Sequence, residues 1–107
     1  MSDSEHMKHL TEDTFHADIK HGVVLVDFYA DWCGPCRMMT PVLEKVASEM
    51  KGKVVIGKLD IDSAQKIGSE FQVTSIPTLI LYKEGKEVGR LVGLRDGATI
   101  KQFIESV

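Results

Sequence analysis

Residues 23–29, Val23-Val24-Leu25-Val26-Asp27-Phe28-Tyr29, lead into the turn Ala30-Asp31-Trp32-Cys33-Gly34-Pro35-Cys36-Arg37. The first stretch is apolar on both faces apart from Asp27, as a central strand covered by helices on each side must be. After the turn, Met39, Val42, Leu43, Val46 and Met50 recur at spacings of three and four, the period of an amphipathic helix. The turn holds both cysteines and the single tryptophan of the chain. A Cys-x-x-Cys pair is therefore expected at the N-terminus of a helix within a βα unit.

That place favours thiol chemistry. The thiolate is the nucleophile, and a free cysteine is mostly protonated at neutral pH. A helix N-terminus offers unpaired N–H groups and the positive end of the macrodipole, both favouring an anion. Cys33, at or just before the first helical residue, should receive most of that help. Cys36 follows about one turn later, which brings the sulfurs together. Gly34 permits close backbone approach, and Pro35 fits an early helical position where its missing N–H has no partner to lose. A structural disulfide is a weaker reading, because closing so short a loop contributes only about 2 kcal/mol and staples nothing distant. Half of a zinc site is weaker still. Zinc needs four ligands, and His6 and His9 are the only other paired candidates. A reactive dithiol without a metal is the expectation.

The motif Trp32-Cys33-Gly34-Pro35-Cys36, preceded by Val26-Asp27-Phe28-Tyr29-Ala30, resembles the active-site segment of the thioredoxin family. The resemblance runs from about Leu10 to the C-terminus through Lys58-Leu59-Asp60, Ser75-Ile76-Pro77-Thr78 and Val92-Gly93. Cys-x-x-Cys alone is weak evidence; the five-residue motif with these flanks is specific. The resemblance implies an α/β, thioredoxin-like three-layer sandwich with a central mixed five-stranded sheet and helices on both faces. It implies a general protein disulfide reductase in which Cys33 is the nucleophile, Cys36 resolves, and Asp27 assists proton transfer to Cys36. It makes Pro77 a cis proline beside the dithiol, where a trans, strand-opening proline is the plainer reading. Trp32, Gly34, Pro35, Ile76, Pro77 and Gly93 would form an apolar rim for the substrate backbone. Electrons would come from NADPH through a flavin-containing thioredoxin reductase, since no nucleotide-binding glycine motif is present and no bound cofactor is expected. Tyr29 stands where many family members have a second tryptophan, so packing behind the dithiol should differ modestly. Oxidases and isomerases of similar fold usually carry a histidine between the cysteines. Gly34-Pro35 puts no charge there, which favours the reductase. A further role as a non-catalytic subunit stays open.

At 107 residues the chain is expected to form one domain, 1–107, with residues 1–6 a flexible leader. A composition of 43% hydrophobic and 27% charged residues is that of an ordinary globule. The net charge of −3 provides no broad basic surface, arguing against nucleic acid as the main partner. No membrane span or signal peptide is visible, so a cytoplasmic protein is expected, and a monomer; the resemblance implies disulfide-containing proteins and a thioredoxin reductase as its partners.

Along the chain, Met7–Leu10 is a short first strand. Thr11 then caps a helix to about Lys20, with Glu12 and Asp13 in its first turn and Phe15 and Ile19 facing inward. His16 and His21 read as surface residues. Pro41 should kink the helix after the dithiol. Met38 is a candidate for peptide binding, whereas Met39 falls on the apolar stripe. Val54–Leu59 is a second buried parallel strand, which Lys58 interrupts as Asp27 interrupts the first. The two charges are expected to face each other, since an unpaired buried charge is costly; the alternatives are Asp27 at a strand end in water and Lys58 snorkelling. Ala64–Phe71 fits a short helix, Glu84-Gly85-Lys86 a hairpin turn, and Gly97–Ser106 a final helix capped by Asp96, with Ile100, Phe103 and Ile104 inward.

Overall fold

The computed structural model describes residues 6–107, so most of the proposed leader, residues 1–5, lies outside the described residues. Its elements are β1 (Met7–His9), α1 (Phe15–Asp18), β2 (Val23–Tyr29), α2 (Gly34–Glu49), β3 (Val55–Asp60), α3 (Gln65–Glu70), β4 (Thr78–Lys83), β5 (Lys86–Val92) and α4 (Gly97–Glu105). They build one five-stranded sheet in the order β1-β3-β2-β4-β5. β1 and β2 both run parallel to β3. β4 is antiparallel to β2, and β5 returns antiparallel to β4. The sheet is mixed because α2 is a crossover long enough for a parallel connection, whereas a two-residue turn joins β4 to β5. That turn has Glu84 at φ 51° and Gly85 at φ 85°, the paired left-handed conformation whose twist suits a tight hairpin.

Side chains alternate across β2 and separate two cores. On one face Leu25 joins Met39, Leu43 and Val46 of α2, Ile56, Leu79, Leu81, and Ile100 and Ile104 of α4. On the other, Val24, Val26 and Phe28 join Phe15, Ile19, Leu59, Ile67, Ile80 and Tyr82 beneath α1 and α3. Both faces of β2 are thus covered, which is why its sequence is a continuous apolar run.

Two expectations need correction. α1 spans only Phe15–Asp18, not Thr11 to Lys20. The Thr11 and Thr14 hydroxyls each accept the other residue's backbone N–H at 3.2 Å, a local turn that competes with helix. Glu12, expected in the first turn of α1, instead accepts the Lys66 N–H at 3.0 Å near the start of α3. Ala64 has no side-chain acceptor to cap that helix itself. Pro41 lies inside α2, which runs as one helix from Gly34 to Glu49. At the far end, Asp96 caps α4 as expected, accepting the Thr99 N–H at 2.9 Å.

Candidate active site

β2 delivers the chain to the end of the sheet at Tyr29, and the turn is closed by the Cys33 N–H donating to the Ala30 carbonyl at 3.1 Å. Cys33 is the N-cap of α2, with φ −87° and ψ 111°, and Pro35 sits in the first turn. The Cys36 N–H points at Cys33 Sγ, 3.2 Å away, so the sulfur takes the place that a serine or aspartate oxygen takes in an ordinary cap. A negative charge on that sulfur would be held by the same N–H and by the helix end. Here the two cysteines are joined as a disulfide, with Cα atoms 5.2 Å apart. Cys33 is 5% and Cys36 2% exposed, so both are buried and the helix geometry, rather than access, distinguishes them.

Residues distant in sequence pack around the disulfide. The Ile76–Pro77 bond is cis, and the Ile76 carbonyl oxygen lies 3.9 Å from Cys33 Sγ. Ile76 and Tyr29 pack against the Ala30, Cys33 and Cys36 cluster. Pro77 is itself buried, so at this point the surface is formed by Ile76 and not by the proline ring. The Gly93 N–H donates to the Pro77 carbonyl at 2.8 Å, and Gly93 has φ +94°, a conformation open to glycine and strained for other residues. Gly34 is half-buried and Pro35 exposed.

Trp32 is 67% exposed and would be free to swing were its indole N–H not bonded to Asp62 Oδ2 at 2.9 Å. Asp62 is fixed in turn, its N–H donating to Asp60 Oδ1 at 2.9 Å, while the Ile61 N–H donates to the Tyr29 carbonyl. The sequence analysis gave Asp62 no part in the site. Nothing in its spacing from Trp32 reveals the bond. Val92 and Leu94, on either side of Gly93, and Met38 on α2 are also exposed apolar residues. Met39 is fully buried beneath α2, as its position on the apolar stripe implies. Arg37 donates to the Asp31 carbonyl at 2.6 Å. His16, read as a surface residue, is exposed, and its Nε2 lies 2.9 Å from the Glu70 carboxylate at the end of α3.

Asp27 is 2% exposed and belongs to the α2/α4 face, because it alternates with Leu25. In the parallel β2–β3 pair it stands directly opposite Lys58, which is 4% exposed. Asp27 Oδ1 has no hydrogen bond among the described residues. Loss of hydration pushes the carboxyl up to about 7, against the opposing pull of the Lys58 charge. The Lys58 ammonium lies 4.6 Å from the centroid of the Tyr29 ring. Burial first, and then the Asp60, Asp31 and Asp27 carboxylates, push the Tyr29 phenol up to about 12.

The site therefore holds a cysteine pair able to open and close as a disulfide at a helix N-terminus, with a buried carboxyl, raised by loss of hydration, on the strand that leads into it. Among the described residues no three His, Cys, Asp or Glu side chains converge on a metal position. No helix among them is long and apolar enough to cross a membrane.

A family model described as Thioredoxin matches residues 6–106. The chain is 48% identical over 101 residues to a thioredoxin of Chlamydia pneumoniae, covering 94% of each chain. It is 53% identical over 95 residues to one of Chlamydia muridarum, covering 89% of this chain and 92% of that one. A bifunctional thioredoxin reductase/thioredoxin of Mycobacterium leprae is 44% identical over 100 residues, 92% of this chain but 22% of that protein.

Proposed function

Because this chain belongs to the thioredoxin family and is a dithiol–disulfide oxidoreductase, we propose a division of labour in which Cys33 attacks and Cys36 resolves. The observation that carries this reading is the N-cap position of Cys33, whose sulfur receives the Cys36 N–H.

In the reduced protein, the Cys33 thiolate attacks one sulfur of a substrate disulfide. A mixed disulfide forms, and the other substrate sulfur leaves as a thiolate and takes up a proton. Asp27, with its carboxyl poised at about 7, accepts the proton of the Cys36 thiol. The Cys36 thiolate then attacks Cys33 Sγ and expels the second substrate sulfur, which is protonated in turn. Two electrons have passed to the substrate, and the Cys33–Cys36 disulfide remains. Lys58 keeps Asp27 from being protonated throughout by opposing the effect of burial.

Trp32, Gly34, Pro35, Ile76 and Gly93 are assigned to substrate binding, and the buried Pro77 to the same site through the backbone it shapes beneath them. The Ile76 carbonyl beside Cys33 supports backbone recognition, and the Gly93–Pro77 bond supports a fixed rim. The dithiol is restored by a thioredoxin reductase, whose flavin passes on electrons from NADPH; the fused reductase of the Mycobacterium leprae relative supports such a partner. The protein is assigned to the cytoplasm as a monomer in one domain, with protein disulfides rather than nucleic acid or membrane as its targets.

The test is a coupled assay with a flavin-containing thioredoxin reductase and a disulfide-bonded protein. NADPH oxidation should depend on this chain and vanish in Cys33→Ser and in Cys36→Ser. Failure of the wild type to sustain NADPH consumption would overturn the reading.

A further inference from the structure

Asp27 and Tyr29 are two residues apart on β2 and share a face, opposite Lys58 and Asp60 of β3. A lysine there has a long flexible stem and would ordinarily reach for water at the strand end. Lys58 does not. Its ammonium lies over the Tyr29 ring, 4.6 Å from the centroid, within the range at which the negative face of an aromatic ring attracts a cation. The same ring packs against the Ala30, Cys33 and Cys36 cluster, which fixes it from the side of the dithiol.

We infer that Tyr29 is a positioning residue, whose ring face holds the Lys58 ammonium on the Asp27 side of the sheet and thereby sets how readily Asp27 takes the Cys36 proton. The inference deepens the proposed mechanism and rests on its assignment of Asp27. Every charged or titratable neighbour of this face belongs in the account. β2 contributes Tyr29 and the turn after it Asp31, β3 contributes Lys58 and Asp60, β1 sets His9 opposite Lys58, and Cys33 and Cys36 stand at the start of α2. β4 places the uncharged Leu79 opposite Asp27. Burial favours a protonated Asp27 and the Lys58 charge opposes it, so where that charge sits decides the balance. A ring that keeps it in place matters for that reason.

The experiment is a carboxyl-carbon NMR titration of Asp27 in the full chain, in the disulfide form, where neither sulfur titrates. Tyr29→Phe and Tyr29→Trp keep an aromatic face and should leave the Asp27 midpoint where it is. Tyr29→Leu should raise it by about half a pH unit or more, roughly a threefold change in ionisation constant. That rise should disappear in a Lys58→Met background. An unmoved midpoint in Tyr29→Leu overturns the inference. So does a rise that persists without Lys58, because Tyr29 would then act on Asp27 directly. Should Tyr29→Leu fail to fold, the wild type suffices: the Lys58 ε-methylene protons should be shifted upfield by the ring current, and ordinary lysine positions overturn the inference. The relay itself is tested separately. An Asp27→Asn variant that releases substrate as fast as wild type would remove Asp27 from the mechanism without altering the titration result.

Discussion

At the scale of single residues, two buried charges explain much of what is unusual in this core. Asp27 and Lys58 were legible as interruptions of two apolar runs, and the strand register sets them opposite each other. Their surroundings were not legible, because the Tyr29 ring reaches Lys58 only once β2 and β3 are aligned. A carboxyl raised to about 7 from an ordinary 3.8 binds its proton more tightly in the folded state. The stability it contributes is fully present below about pH 4 and is lost as pH rises through about 7. Asp27→Asn should therefore match the wild type near pH 4 and be more stable at pH 8, by roughly 1–3 kcal/mol. Urea melts at the two pH values measure this, and a difference that does not change with pH would contradict the burial argument. Trp32 offers a second test. It is the only tryptophan, and its indole is tied to Asp62. Asp62→Ala should lower its fluorescence anisotropy; an unchanged value would mean that other contacts hold the ring.

Among the elements, those with a long hydrophobic period were the easiest to read. α2, β2 and α4 follow from their sequences because each buries a stripe or two faces against the sheet. α1 was misread because propensity and a capping threonine suggested a long helix, while the paired Thr11–Thr14 turn delays its start. The cap that Glu12 provides to α3 depends on a residue 54 positions away and leaves no local trace. β3 carries a packing constraint that is equally invisible in sequence. A Cβ at Gly57 would come within 3.0 Å of Leu10 Cγ, and Leu10 is itself buried. Gly57→Ala should therefore destabilise the protein, by about 1 kcal/mol or more, although alanine is the less flexible residue. Denaturant melts decide the sign, and a more stable variant would show that Leu10 yields freely.

For the whole molecule, two cores on opposite faces of the sheet carry stability, and the disulfide lies at their edge with Tyr29, Ile61 and Ile76. The bond links residues three apart, so cutting it should cost no more than about 2 kcal/mol and leave far-UV circular dichroism unchanged. Truncating a buried anchor of α2 should matter more: Leu43→Ala is expected to cost about 2–5 kcal/mol in the same melts. The sequence motif was enough to locate the dithiol chemistry, and the resemblance already named Ile76 and Gly93, whereas the exposed Val92 and Leu94 beside Gly93 and the Asp62 bond to Trp32 emerge only from the fold. The central claim is that Cys33 attacks and Cys36 resolves. It is tested most directly by incubating reduced Cys36→Ser and Cys33→Ser with a disulfide-bonded protein and mapping the covalent adducts by mass spectrometry. The account predicts that Cys36→Ser accumulates a mixed disulfide through Cys33 while Cys33→Ser traps none. An adduct through Cys36 in Cys33→Ser, with none on Cys33 in the other variant, would contradict it.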